Sequence, residues 1–188
     1  MFFREFYNSV LNISIESNDE LPFPINSIRL KKGELVTDYG QIEGHIYFIN
    51  SGIVEMTIKS YITEKIIDFF FEKEMVCSYT SFLGQLPSDV RITTLMDCEL
   101  EMFGWEDLSV AYQSSLEANK FGRILTEYAY VRKSNREKSL LTKTAEERYA
   151  EMFETHAQYI SQIPVNKIAR YLGIHPESLS RIRKNLNS

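Results

Sequence analysis

The spacing of apolar positions along the chain changes twice, and each change marks a different class of element. Over residues 2–11, Phe3, Phe6, Tyr7 and Val10 fall on one side of a helical wheel, which predicts a short amphipathic helix capping the domain after it. Residues 18–24 have turn composition and predict no regular element. From Ile25 to Phe103 the period shortens toward two. Residues 27–30, 46–49, 53–58, 66–71, 91–95 and 99–103 read as short strands between turn residues, with Asn50-Ser51-Gly52 as a hairpin turn. Such a series predicts a compact antiparallel barrel or sandwich.

Beyond Phe103 the helical period returns. Trp105 begins a short helix, and residues 115–141 read as one long helix. Along it Phe121, Ile124, Tyr128 and Val131 step by three or four in line with Leu116 and on toward Asn135 and Lys138, the pattern of a coiled-coil seam. Leu125 and Ala129 lie beside that line, so one face can pack on the strands while the other pairs with a second copy. An Asn at a seam position such as Asn135 would fix register. The positive run from Arg132 to Lys138 reads as a solvated helix end favoured by the helix dipole. Thr144-Ala145-Glu146-Glu147 then caps a helix carrying Tyr149, Met152, Phe153 and Ile160.

Residues 163–185 form two short helices joined by a tight turn. Ile168, Ala169 and Leu172 make an apolar face, Gly173 ends the first helix, and Pro176 and Glu177 open the second, whose Leu179 and Ile182 point back. Glu177, Ser178, Arg181 and Lys184 remain outward. A helix of this kind fits the major groove and offers Arg donors and Glu acceptors to base edges, whereas the plain alternative is a helical hairpin with a solvated charged face. Charge separates the two readings: residues 163–188 carry five Lys and Arg against one Glu, a net +4, while the whole chain is −5 and the remainder therefore −9. A basic patch on an acidic protein is an electrostatic footprint for phosphate.

With 188 residues, 44% hydrophobic and 25% charged, the chain has the size and composition of one larger and one small globular domain. No apolar run approaches the ~20 residues that cross a bilayer, and a cytoplasmic location is expected. Cys77 and Cys98 are too few for an iron–sulfur cluster held by four thiolates and are expected to be buried and reduced.

Leu30-Lys31-Lys32-Gly33-Glu34, the run from Ile46 to Met56 and Asp97-Cys98-Glu99-Leu100 resemble the cyclic-nucleotide-binding β-roll. Joined to the C-terminal helix-turn-helix, they make the chain similar to the Crp/Fnr transcription regulators over nearly its whole length. The resemblance implies an α+β protein: an N-terminal antiparallel β-roll (double-stranded β-helix) over residues 1–113, a long dimerisation helix over 114–141, and a C-terminal winged helix-turn-helix over 142–188. It implies a homodimer that regulates transcription on a palindromic double-stranded DNA operator, with RNA polymerase as a further partner. It assigns base reading to Glu177 and Arg181 and phosphate contact to His175 and Ser178, with Lys184 and Asn166 completing the DNA-facing set. Pro176 departs from the polar or basic residue common at its position. Pairing of two copies falls to Phe121, Ile124, Tyr128 and Val131.

In that family the nucleotide phosphate is cradled by a Gly-Glu pair, a helical turn, and then Arg-Ser or Arg-Thr. Here Cys77-Ser78 stands for Gly-Glu and Arg91-Ile92 for the arginine pair, so the ribose acceptor is missing and cyclic AMP is not expected. Ser78, Tyr79, Thr80, Ser81, Arg91 and Thr93 could serve another small anionic effector, or line an ordinary polar crevice. No cofactor is expected. His45, His156 and His175 are scattered, which gives no support to haem or metal. A cupin-like enzyme needs a histidine cluster on inward strands, and the roll holds only His45; no G-x-S-x-G or Walker loop occurs. The alternatives are therefore a β-roll small-molecule-binding protein or a cupin-like enzyme, either with a vestigial helix-turn-helix.

Overall fold

A computed structural model describes residues 1–186. Helix α1 (Phe3–Leu11) is followed by a single 3-10 turn at Asn18–Glu20. Eight strands come next: β1 (Asn26–Leu30), β2 (Leu35–Thr37), β3 (His45–Ser51), β4 (Val54–Lys59), β5 (Glu64–Phe70), β6 (Met75–Val76), β7 (Val90–Thr94) and β8 (Cys98–Gly104). The short helix α2 (Tyr79–Gly84) sits between β6 and β7. Strands β2 and β6 were not expected, being three and two residues long and too short to show a period.

The strands form two antiparallel four-stranded sheets, ordered β1-β8-β3-β6 and β2-β7-β4-β5. This corrects the hairpin expected at residues 50–52. Strand β3 pairs with β6 and β8 while β4 pairs with β5 and β7, so the turn carries the chain from one sheet to the other. Gly52 makes that crossing at φ +108°, and a Cβ there would lie 2.9 Å from the Asp97 carbonyl oxygen. The true hairpin is β4–β5, closed by Ser60 N–H donating to Thr63 O at 2.9 Å. Between the sheets lie Ile49, Val54, Val76, Ile92 and Leu100, all buried.

Helices α3 (Trp105–Ser114) and α4 (Leu116–Thr142) follow, the second capped by the Ser115 hydroxyl accepting from Ala118 N–H at 3.1 Å. The buried stripe of α4 is Ala118, Phe121, Gly122 and Leu125, facing the roll. Phe121 is fully enclosed among the rings of Phe3, Tyr7, Phe23 and Phe103, with centroids 4.7 to 6.5 Å away. It therefore belongs to the core of the chain itself, which corrects its expected pairing role. Ile124 is half-buried, and Tyr128 and Val131 are exposed.

Three helices complete the chain: α5 (Ala145–Ile160), α6 (Val165–Leu172) and α7 (Pro176–Leu186). The expected capping box forms between Thr144 and Glu147, and α5 breaks its helical geometry at His156 (φ −135°, ψ 30°). Tyr149, Met152, Ile160, Ile163, Ile168, Ala169, Leu172 and Leu179 pack into one cluster with Ile53, Ile66, Phe69, Phe71 and Leu95 of the roll. Apolar burial thus seats the helical unit on the sheet that contains the β4–β5 hairpin. Among the described residues no strand follows Gly104, so the wing expected beside the helix-turn-helix is absent from this part of the chain. The architecture is α+β, a jelly-roll-like domain followed by a helical region. No described helix is long and apolar enough to cross a membrane.

Candidate nucleic-acid interface and ligand cradle

The turn between α6 and α7 is built by Gly173, in the left-handed region at φ +72°, whose N–H bonds the Ala169 and Arg170 carbonyls. Ile174 N–H then donates to Ala169 O at 3.0 Å, and the His175 carbonyl accepts from Ser178 and Leu179 N–H at 3.0 and 3.2 Å. These bonds fix α7 across α6, with Leu179 completely buried and Ile182 half-buried between them. What faces out is set by the helical period: Glu177, Arg181 and Lys184 are exposed along one side, with Ser178 half-buried beside them. His175 and Asn166 are exposed on the flanks of the same unit. The six residues expected to face DNA thus lie together on the α6–α7 hairpin. Glu177 and Arg181, one turn apart, have no ion pair or hydrogen-bond partner among the described residues.

The expected effector residues do not converge. Ser78 and Ser81 are buried in a network centred on Glu43, whose carboxylate accepts from the Thr37 hydroxyl at 2.5 Å, Ser78 N–H at 3.3 Å and His45 N–H at 3.2 Å. Glu43 N–H in turn donates to Ser81 Oγ at 2.8 Å, and Ser88 Oγ donates to Ser78 Oγ at 2.7 Å. Beside this network burial, and then the Glu43 charge, pushes the Cys77 thiol well above its ordinary pKa, so it stays protonated and inert. Tyr79 turns instead toward α3 and α4, lining a gap of about 20 Å³ with Phe82, Leu108 and Phe121, room for a single water. Burial raises its hydroxyl pKa. Thr80 is exposed, and Thr93 is half-buried on β7 opposite Leu35 and Glu55.

Arg91 is held elsewhere again. Its Nε donates to Asp38 Oδ1 at 2.7 Å, its Nη1 donates to Glu64 Oε1 at 3.0 Å, and the guanidinium lies 4.6 Å from the centre of the Tyr39 ring. The chain's own carboxylates therefore occupy the fork that a phosphate would use. Glu43, Asp38 and Glu64 were not singled out in the sequence, where each is one acid in a turn or at a strand end.

A third constellation was also missed, and it corrects the reading of residues 132–138 as a solvated end. Arg132 is largely buried: Nε donates to Asp68 Oδ2 at 2.9 Å, Nη1 pairs with Glu74 Oε1 at 2.9 Å, and Nη2 donates to Phe69 O at 2.8 Å. Burial works against its charge, but Asp68 and Glu74 outweigh it and raise its pKa. Burial likewise opposes the Glu74 carboxylate, while His156 and Arg132 hold its pKa below the ordinary value. Arg136 stacks 3.7 Å from the Tyr171 ring centre and donates to Tyr171 O at 2.9 Å; Arg148 donates to Leu172 O at 2.7 Å. From α6, Lys167 pairs with Glu55 and Arg170 donates to the Glu64 carbonyl. Roll, long helix and the α6–α7 hairpin are thus tied at one junction. Of the run, Lys133 and Lys138 remain exposed. No cluster of three or more potential metal ligands occurs among the described residues.

Residues 27–115 match the family model of the cyclic nucleotide-binding domain. The roll is that domain's fold. Solved structures extend the likeness into the helical region. The c-di-GMP-responsive global regulator CLP of Xanthomonas campestris is 20% identical with a TM-score of 0.64, covering 87% of this chain and 86% of that one. FixK2 of Bradyrhizobium japonicum gives 18% and 0.71, over 87% and 84%. A Eubacterium rectale protein assigned to the crp/fnr family of transcriptional regulators gives 17% and 0.68, over 96% and 82%. At these identities the likeness is one of fold. No curated protein sequence matches the chain.

Proposed function

We propose that the protein is a dimeric, sequence-specific DNA-binding transcription regulator of the Crp/Fnr type, located in the cytoplasm, and not an enzyme. The observation that carries this reading is the outward face of α7, where Glu177 and Arg181 stand exposed one turn apart on a helix held by a buried apolar hairpin. Arg181 can donate to guanine O6 and N7 and Glu177 can accept from a cytosine amino group, while His175, Ser178, Lys184 and Asn166 serve the backbone. Pairing runs through Ile124, Tyr128 and Val131 on the side of α4 next to the roll-facing stripe, placing two recognition helices about 34 Å apart on a palindrome. RNA polymerase is the further partner of such a regulator.

The roll's cradle is degenerate in this proposal. Arg91 is engaged by Asp38 and Glu64, and the Glu43 carboxylate takes the Ser78 N–H, so cyclic AMP finds neither a free cation nor that backbone donor. Selection of bound sequences from a random DNA pool tests the function: a palindromic consensus with half-sites one turn apart is expected, and no enrichment would overturn it. Sedimentation tests the pairing, with a dimer expected for the wild type and a monomer for Ile124→Asp.

A further inference from the structure

Arg183 is on α7 but on the side away from Arg181, turned toward α5 with its guanidinium 5.6 Å from the centre of the Tyr149 ring. Its Nε and Nη2 are shut from solvent and have no hydrogen-bond partner among the described residues. These two nitrogens are one edge of the planar fork, the pair that grips a single carboxylate with two parallel bonds. Donors buried without an acceptor are costly and rare in native proteins, so an unfilled pair on one edge points to an absent acceptor. Arg183 also lines a groove of about 370 Å³, within the range of small-molecule sites. Ala150, Phe153, Ala157 and Ile160 make its apolar wall, spanning the break of α5 at His156, and Phe153 is half exposed there.

We propose that this groove binds a small, singly charged carboxylate with an apolar body, the carboxylate taking the Nε and Nη2 edge of Arg183 and the body lying on Phe153 and Ala157. Charge sets the valence: Glu154 lines the same groove, so Arg183 is opposed by one carboxylate already and a dianion would lack compensation. Because the edge is closed, the ligand enters by displacing the contact between Arg183 and Tyr149, which is one of the ties between α5 and α7. The site is separate from the network around Glu43 and from the outward residues of α7, and gives a small molecule direct access to the position of that helix.

Calorimetry on the full chain with octanoate tests this without DNA, so its outcome does not depend on what α7 reads. Saturable binding of one octanoate per chain is expected, with affinity at least tenfold weaker for 1-octanol, which lacks the charge, and for octyl phosphate at pH 8, which doubles it. Arg183→Gln should weaken octanoate at least tenfold, and Arg183→Lys nearly as much, because it keeps the charge and loses the fork. Ala157→Trp, at an exposed position, fills the groove without touching Arg183 and should abolish binding even if the arginine variants fold poorly. Absence of octanoate binding at millimolar concentration, equal affinity for 1-octanol, or full affinity in Ala157→Trp would each overturn the proposal.

Discussion

Arg91 and Arg181 are the same side chain put to opposite uses. Arg91 is held between Asp38 and Glu64 over the Tyr39 ring, its donors taken by its own chain, whereas Arg181 is exposed on α7 without an ion pair or hydrogen bond among the described residues. The contrast extends to their surroundings. In the roll, Glu43, Ser78, Ser81 and Ser88 satisfy one another in the interior; on α7, Glu177 and Arg181 project from a helix whose inner side is fixed by Leu179. Polar groups that are already compensated stabilise a fold and have little left for a ligand, while rigidly presented, uncompensated ones keep their bonding capacity for a partner.

The largest effect should come from breaking the support of the outward face. Leu179→Asp puts a carboxylate at a completely buried position, and a loss of about 4 kcal/mol or more is expected in urea unfolding, with DNA binding abolished. Wild-type stability in this variant would mean that the α6–α7 hairpin does not hold the reading face.

Next is Arg132→Ala, which strands Asp68 and Glu74 at the junction. Removing one member of a buried pair costs up to ~5 kcal/mol, and the partial exposure of this one reduces the expectation to about 2–3 kcal/mol by urea titration. The acid limb sharpens the same point. The folded pKa of Glu74 lies below its ordinary 4.5, so its contribution is complete above pH 4.5 and is lost as pH falls through the folded value. Stability should drop steeply below pH 4.5 in the wild type and less so in Arg132→Ala. Equal acid limbs would show that the clamp does not hold Glu74 ionised.

Smaller effects separate the two arginines' neighbourhoods. Calorimetry should detect no cyclic AMP binding to the wild type, and Arg91→Ala should cost less than about 1 kcal/mol because its pairs are partly exposed. Micromolar affinity for cyclic AMP would mean that Arg91 leaves its carboxylates for phosphate. On the α7 side, Lys184→Ala should weaken all DNA sequences alike and lower the salt slope by about one charge.

The α6–α7 helical hairpin was legible because its signals are local: Gly173 must adopt positive φ, and Ile168, Leu172, Leu179 and Ile182 keep one phase through the turn. The strands were legible, but their pairing was not. Asn50-Ser51-Gly52 announces a turn, and composition alone does not say whether the chain returns to the same sheet or crosses to the other. Phe121 was misplaced because the steps of three and four on α4 fit both a seam and a roll-facing stripe, and only the rings of Phe3, Tyr7 and Phe23 decide between them. Arg132 was read as solvated because its partners, Asp68 and Glu74, lie some sixty residues away. The wing rested on family resemblance alone, with no strand pattern of its own behind it.

The most direct test compares the wild type and Arg181→Ala on the selected operator and on the same DNA with one half-site base pair changed, by fluorescence anisotropy at fixed salt. The wild type should discriminate by ~1–3 kcal/mol at the pair that Arg181 reads, and Arg181→Ala should bind the two sequences nearly equally. Unchanged affinity and unchanged preference in Arg181→Ala would contradict the assignment of α7 as the reading helix.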